Sequence, residues 1–497
     1  MNKSIFQNIS FTLASNLWLT VAMLVCTPVY IALLGIESYG LIGFYTTLLA
    51  ITGIIDSGFS STAAREIASM RSDQKEIKKI KNLFFSLEII YWPTILTVIA
   101  LIYLSFVATQ FSWVQSETLS QNFIQDSISL MLGLVIFQVA SGLYMNALIG
   151  FQKHIAFASI AAMFGTIRTF GVLPFLYLYE DVRVFFIWQI VWAIIQVCST
   201  KAILSFEFKK ISNLRAKFSL QALLKIRTYL GGMFIITILS LAVSQIDKVI
   251  LSKMLSLEEF GYYMLAFTVA LSLSRLTTPI IQVYWPQFSA LSSDTQKVEL
   301  GSRFLECFEI LSIAIIPFFV LIVIYSEPLL LLWTNNYDIT MQANSLLMVL
   351  IFGTTLSSLS FPALIVLYAR GVLAFVICSN LAILILISVA LFLLIPKFGS
   401  ISAAYSYSAY GLAMFFLFTF KALSQLKINS SISTLIQKIY YPSLVSILVA
   451  GAFFYPISIS SNKILLSILF LTQILLIFTI LAFSNKKILT YLQLKLG

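Results

Sequence analysis

Seven charged residues are set within apolar stretches of this sequence: Asp56, Glu88, Arg168, Asp247, Lys248, Arg275 and Glu309. A charge at the centre of a bilayer costs about 2.5–3.5 kcal/mol on insertion scales, so each one needs a partner, water or a role. Arg168 is the deepest, far from either end of its stretch. Asp56 and Arg275 fall in inner halves, Asp247 and Lys248 in an outer half, and Glu88 and Glu309 close to an end. The chemistry open to such a set is ionic. Arg168, Lys248 and Arg275 are candidate phosphate ligands; Asp56, Asp247, Glu88 and Glu309 are candidate ion-coupling groups or ion-pair partners. The structural reading of each is a buried pair that fixes helix packing, or an end residue that snorkels. The five deeper residues include more bases than acids, which predicts a slightly cationic, water-filled cavity between two lobes.

Other chemistries find no foothold. Cys26, Cys198, Cys307 and Cys378 are isolated, without C-x-x-C spacing, and the single His154 has no partner at metal-ligand spacing. No metal or other cofactor is therefore expected. No G-x-x-x-x-G-K-[ST] occurs, which disfavours an ATP-driven pump.

The elements that must position these charges are transmembrane helices. Hydrophobic residues make up 60% of the chain and charged ones 10%, outside the range of soluble domains. Fourteen apolar runs, from 9–34 to 464–483, are long enough to cross about 30 Å of hydrocarbon. The first lacks a small-residue cleavage site and is read as a helix. Residues 34–90 recur in register at 255–311: Leu34-Gly35-Ile36-Glu37-Ser38-Tyr39-Gly40-Leu41 is answered by Leu255-Ser256-Leu257-Glu258-Glu259-Phe260-Gly261-Tyr262, and Glu88 by Glu309. The fold class is thus an all-α polytopic membrane protein, with two pseudo-symmetric six-helix lobes at 1–206 and 229–420. An amphipathic cytoplasmic linker at 207–228 joins them, and 421–497 hold two further helices and a tail. Parallel repeats of this kind build transporters that rock one lobe against the other. Pro28, Pro93, Pro174, Pro279, Pro317 and Pro362 interrupt predicted helices, and Pro279, four residues after Arg275, is a candidate bending point.

Of the 31 basic residues, 24 fall on the side that holds both termini and four on the other. Both termini are therefore expected in the cytoplasm. The net charge of +11 is read as this topology signal and as contact with anionic membrane lipids, not nucleic acid.

The residues from Thr27-Pro28 through Leu34-Gly35, Tyr39-Gly40-Leu41 and Asp56-Ser57-Gly58-Phe59 to Arg65 resemble the polysaccharide transporter family. So do Asp247-Lys248, Glu259-Phe260-Gly261-Tyr262-Tyr263 and Ala266. These are the Wzx-type flippases of the multidrug/oligosaccharidyl-lipid/polysaccharide exporter superfamily. The resemblance implies a flippase in the bacterial inner membrane, moving undecaprenyl-pyrophosphate-linked oligosaccharide (an O-antigen or capsule repeat unit) to the outer leaflet by alternating access. It also implies a proton or sodium as candidate coupling ion, and a polysaccharide polymerase and chain-length regulator as candidate partners.

The rival readings are a multidrug or small-cation exporter, or a lipid II flippase, of the same superfamily. A membrane enzyme of the same pathway would need a large outside loop with catalytic residues, and every outside loop here is short. The topology is testable by labelling with an impermeant thiol reagent. Ser116→Cys, Ser256→Cys and Ser460→Cys should label from outside, and Ser72→Cys, Ser212→Cys and Ser430→Cys should not. Labelling of Ser430→Cys without Ser460→Cys would show the helices between 341 and 440 to be miscounted.

Overall fold

The computed structural model describes residues 3–68, 74–211, 216–426, 432–459 and 463–484. Ser72, Ser212, Ser430 and Ser460 lie outside the described residues. The architecture is all-α, and the chain is a multi-pass membrane protein. Contacts divide it into two compact units, 1–261 and 262–497.

The first unit holds α1 (Lys3–Leu34), α2 (Ile36–Ala68), α3 (Gln74–Ala108), α4 (Gln121–Gly150), α5 (His154–Phe170), α6 (Leu173–Tyr179), α7 (Val182–Ile211) and α8 (Leu220–Met254). α9 (Leu257–Ser274) crosses the boundary. The second unit continues with α10 (Thr277–Ala290), α11 (Lys297–Ile324), α12 (Ser326–Thr334), α13 (Tyr337–Ala369), α14 (Leu373–Phe398), α15 (Ser400–Gln425), α16 (Ile432–Ile459) and α17 (Lys463–Ser484). Among the described residues, 12 spans are long and apolar enough to cross a membrane, with α5–α6 and α9–α10 each forming one. A shorter apolar segment, Leu465–Leu481, lies in α17, and the run expected near 229–251 falls within the 35-residue α8. Tight connections use glycine where the backbone turns left-handed, as at Gly35 (φ +80) and Gly399 (φ +63).

Of the six prolines, only two separate helices. Pro28, Pro93, Pro317 and Pro362 lie inside continuous α1, α3, α11 and α13. Pro174 cannot donate to the Phe170 carbonyl, and α5 stops there. Pro279 cannot donate to the Arg275 carbonyl, and α9 ends one residue earlier, with Arg275 and Leu276 bonded back only three residues, to Ser272 and Leu273.

The 207–228 segment is not one helix. Glu207 to Ile211 extend α7, because no Pro or Gly stops it and Lys209 and Lys210 complement its C-terminal dipole. The Lys217 and Ser219 amides then donate to Asn82 Oδ1 and Ser86 Oγ, both at 2.8 Å, which docks the segment on α3 before α8 begins at Leu220. α8 packs on α2 and α3, so it falls in the first unit by contact. The repeat and the packing thus divide the chain differently.

The first unit is organised around α2, which packs on α4 and α8. Near its far end, Gly150 lets α4 approach so closely that a Cβ there would lie 2.7 Å from the Ala64 carbonyl oxygen. At its start, the two copies of the repeated motif meet. A Cβ on Gly40 would fall 2.5 Å from the Leu257 carbonyl oxygen, and one on Gly261 2.5 Å from that of Ile36. Gly40 and Gly261, like Ile36 and Leu257, are equivalent positions of the repeat, so the contact is reciprocal. Beside it, the buried Glu37 accepts from Ser116 Oγ at 2.7 Å, from the Glu117 amide at 3.1 Å and from the Thr118 hydroxyl, pinning the loop that joins α3 to α4. The Gln115 carbonyl of that loop accepts from the Leu257 amide at 2.8 Å.

In the second unit α13 and α15 cross at Gly353 and Gly411, where a Cβ on Gly411 would sit 2.2 Å from the Gly353 carbonyl oxygen. Small residues at such crossings are the usual device for close helix approach in membranes. The last two helices pack on α11: Tyr325, just past its end, donates to the Ala450 carbonyl of α16 at 2.5 Å and accepts from Gln473 Nε2 of α17 at 3.3 Å.

Because the atoms facing Gly40 and Gly261 are backbone, they cannot move aside. Gly40→Val and Gly261→Val should each destabilise the protein by about 1–3 kcal/mol, seen as a lower thermal midpoint of the purified protein. Gly451→Ala is the control, since an added Cβ there meets nothing within 4 Å. Equal midpoints for all three would remove the contact's structural role.

Candidate substrate site

Arg168 occupies the last turn of α5, next to the break before α6. A helix end inside a membrane leaves carbonyls that water cannot reach, and they must be satisfied by protein. Three side chains do this here. Trp188 Nε1 donates to the Ile167 carbonyl at 3.2 Å, Gln189 Nε2 to that of Arg168 at 3.1 Å, and Tyr30 Oη to that of Thr169 at 2.6 Å. The donors come from α7 and α1, so the end of α5 is clamped on both sides. With its backbone thus held, Arg168 still has a guanidinium nitrogen, Nη1, that is buried without a hydrogen-bond partner. Two more buried polar atoms on α7, Trp192 Nε1 and Gln196 Oε1, are also unpartnered. Trp192 packs against Phe164 of α5, with ring centroids 6.2 Å apart. The protein therefore leaves two buried donors and one buried acceptor unmatched on α5 and α7.

Asp56 lies on α2 within the same unit. It accepts from Ser60 Oγ, and Tyr91 Oη of α3 lies 2.6 Å from its Oδ1. Its carboxylate occupies the space over Gly142, where a Cβ would come within 2.3 Å of it. The Tyr91 hydroxyl also lies 2.7 Å from the Val139 carbonyl oxygen. One hydroxyl proton thus faces two acceptors.

Four of the other five predicted charges are paired. Lys248 and Asp247 are both buried; Lys248 Nζ donates to each Asp247 oxygen at 3.0 Å and to the Ser244 carbonyl at 3.1 Å. Glu88 accepts from Lys201 Nζ of α7 at 2.6 Å and from Tyr144 Oη of α4 at 2.6 Å. In the second unit Glu309 pairs with Lys438 of α16. Arg275 is exposed, in the non-helical step between α9 and α10. Arg168, Asp56, Glu88 and the Asp247–Lys248 pair thus belong to the first unit, and Arg275 and Glu309 to the second.

Sequence reasoning did not single out Tyr91, Tyr144, Lys201, Lys438, Gln189 or Trp188. Lys201 carries a signal, because it interrupts an otherwise apolar stretch of the sequence. Tyr91 and Tyr144 carried none: a tyrosine in a membrane helix is unexceptional until a carboxylate is placed beside it.

The fold built from these elements is that of the MOP-superfamily transporters. A lipid II flippase, MurJ in an inward closed conformation, has a TM-score of 0.65 with 14% identity, covering 98% of each chain. The MATE multidrug transporter DinF-BH gives 0.60 with 15% identity, over 85% of this chain and 96% of that one. A MOP superfamily transporter from Pyrococcus furiosus gives 0.56 with 12% identity, over 83% of this chain and 96% of that one. At such identities the likeness is one of fold. The family model described as "Polysaccharide biosynthesis protein" matches residues 32–342, most of the chain, and the protein belongs to that family. No curated protein matches the sequence.

The Asp247–Lys248 pair gives a direct test of the site's electrostatics. Removing one member leaves the other buried and uncompensated, at about 3–5 kcal/mol. Lys248→Met should therefore lower both the yield and the thermal midpoint of the purified protein, and Asp247→Leu/Lys248→Met should recover most of the loss. A double variant as unstable as the single one would show that the pair is not the source of the effect.

Proposed function

We propose that this chain is a flippase that carries undecaprenyl-pyrophosphate-linked oligosaccharide from the cytoplasmic to the outer leaflet of a bacterial inner membrane by alternating access. The observation that carries the reading is the Arg168 guanidinium, held inside the first unit at a helix break with a buried, unpartnered Nη1. Pyrophosphate presents the charge and the paired acceptor oxygens that a guanidinium fork matches, and contact between them is strong where water is scarce. Membership of a polysaccharide biosynthesis family and a fold shared with a lipid II flippase support the substrate class. Lys248 is the further phosphate ligand of this reading within the first unit, and Arg275, exposed at its own helix break, is the separate candidate of the second. Lys248 serves once Asp247 takes up a proton, which links substrate and ion. The family's polymerase and chain-length regulator would be the partners downstream, and both termini would be cytoplasmic.

Asp56 is the second candidate proton carrier. A neutral carboxyl would donate to Tyr91 Oη and leave the tyrosine proton for the Val139 carbonyl, so every acceptor in the cluster would be satisfied. Asp56→Asn keeps the shape and removes the titration. It should leave the amount of protein in the membrane unchanged and abolish any dependence of transport on the proton gradient. Gradient-dependent transport by Asp56→Asn equal to wild type would exclude it as the carrier.

Complementation of a flippase-null strain tests the function itself. Arg168→Ala should abolish surface polysaccharide at matched expression, and Arg168→Lys should restore part of it, because charge is kept but the bidentate fork is lost. Wild-type polysaccharide from Arg168→Ala would discard Arg168 as a ligand. Loss of the protein itself from the membrane in both variants would assign Arg168 to packing. Failure of the wild-type chain to complement, together with export of organic cations, would favour the exporter reading.

A further inference from the structure

Between the ends of α3, α4 and α7 lies an open cavity of about 230 Å³ that the transport reading does not use. Its lining includes Lys81, Lys201 and Lys209 with a single carboxylate, Glu88. The lysines therefore exceed the acid by two formal charges. We propose that this cavity binds the phosphodiester headgroup of an anionic membrane lipid, from the leaflet that faces the basic loops.

Lys201 and Lys209 are exposed, and their surroundings are ordered by packing and hydrogen bonds. Phe208 is fixed between Phe84 and Phe151, with ring centroids at 5.4 and 4.9 Å, so the aromatic wall is rigid. Glu88 orients Lys201 at 2.6 Å, and Tyr144 lies under the same ammonium at 5.9 Å. The hydrogen bonds from the Lys217 and Ser219 amides to Asn82 and Ser86 hold residues 217–219 against α3, and Ala216 completes the rim. On the α3 side, Phe85 and Ile89 are exposed and apolar, a surface along which an acyl chain can run. Basic pockets between transmembrane helices beside a charged leaflet are the kind of site that holds anionic headgroups.

The repeat supplies an internal control. Glu309, the counterpart of Glu88, also lines a cavity, of about 270 Å³, with Lys438, Thr434, Gln437 and Tyr441. There one base meets one acid and the lining is neutral. Repeat position alone thus does not make a cationic site; the extra lysines of the first unit do.

The same phosphate chemistry could come from lipid or from a free anion, and one experiment separates them. The purified full-length protein is incubated with phosphatidylglycerol, phosphatidylcholine or inorganic pyrophosphate, and bound species are counted by native mass spectrometry. The wild type should retain phosphatidylglycerol over phosphatidylcholine, and millimolar pyrophosphate should not displace it. Each lysine near an anionic surface is worth about fivefold in affinity, so Lys81→Ala/Lys209→Ala should retain phosphatidylglycerol about thirtyfold more weakly. Lys81→Arg/Lys209→Arg keeps the charge and should retain it, which separates loss of charge from loss of fold. Equal retention of the two lipids, full displacement by pyrophosphate, or unchanged retention by the alanine pair would each overturn the proposal. None of these readouts depends on transport, so a failure here leaves the flippase reading standing, and a failure there leaves this site standing.

Discussion

The contact that the first unit depends on is one of backbone against backbone. Gly40 admits the Leu257 carbonyl and Gly261 admits that of Ile36, so the start of α2 and the start of α9 meet without an intervening side chain. This fixes the level at which α2 begins, and everything α2 carries is counted from there. Four turns on, Asp56 arrives opposite Gly142, the position on α4 with room for its carboxylate. Further along, Ala64 meets Gly150. A slip of α2 by one residue would put the Asp56 carboxylate against a side chain and pull Glu37 away from the loop it pins. Small residues at three points along one helix therefore hold a charged group at a set depth, where packing between apolar side chains would tolerate sliding.

A second constraint follows from the absence of water. Breaking a helix in hydrocarbon exposes carbonyls whose desolvation costs several kcal/mol each, so a break survives only where protein replaces the lost bonds. At the end of α5 the replacement comes from Trp188, Gln189 and Tyr30. The same clamp that makes the break tolerable also immobilises Arg168. Its backbone is tied to α1 and α7 and its guanidinium is directed inward, which is the condition for an ion to meet a ligand without first paying for reorganisation.

The fold was legible in the sequence because its signals are strong and long. Apolar runs of twenty or so residues, the one-sided distribution of Lys and Arg, and a 57-residue repeat in one register survive errors of several residues. Pro279 and Pro174 marked real breaks, but Pro28, Pro93, Pro317 and Pro362 looked the same and are accommodated inside helices. Whether a proline breaks a helix depends on what neighbouring helices offer its orphaned carbonyl, and that information is not local. The candidate site was half legible. Charges in apolar runs could be found by inspection, and the Asp247–Lys248 pair could be seen because its members are adjacent. Lys201 with Glu88 and Lys438 with Glu309 join helices more than a hundred residues apart, and no spacing rule reaches that far. The 207–228 segment misled for the opposite reason: the helical spacing that begins at Phe208 and Ile211 is met by the overhanging end of α7, whereas Phe218 lies outside any helix.

The repeat also shows where the chemistry went after duplication. In the shared register Asp56 corresponds to Thr277, and Gly58 to Pro279. One residue past its end, Tyr91 corresponds to Ser312. The first copy keeps a carboxylate and a tyrosine in contact on an unbroken α2. The second has two hydroxyls instead, with Thr277 buried and unpartnered beside the break that Pro279 imposes. The acid at 88 and 309 is retained in both, yet its lysine comes from α7 in one case and from α16, outside the repeat, in the other. An ion pair survives duplication as a requirement to neutralise a charge, and any helix that brings a base to the right depth satisfies it. The carboxylate–tyrosine cluster is less forgiving, because it needs its acid, its hydroxyl and its glycine together. Loss of one removes the reason to keep the others, so such a cluster stands in one copy while the other holds a helix break at the equivalent position.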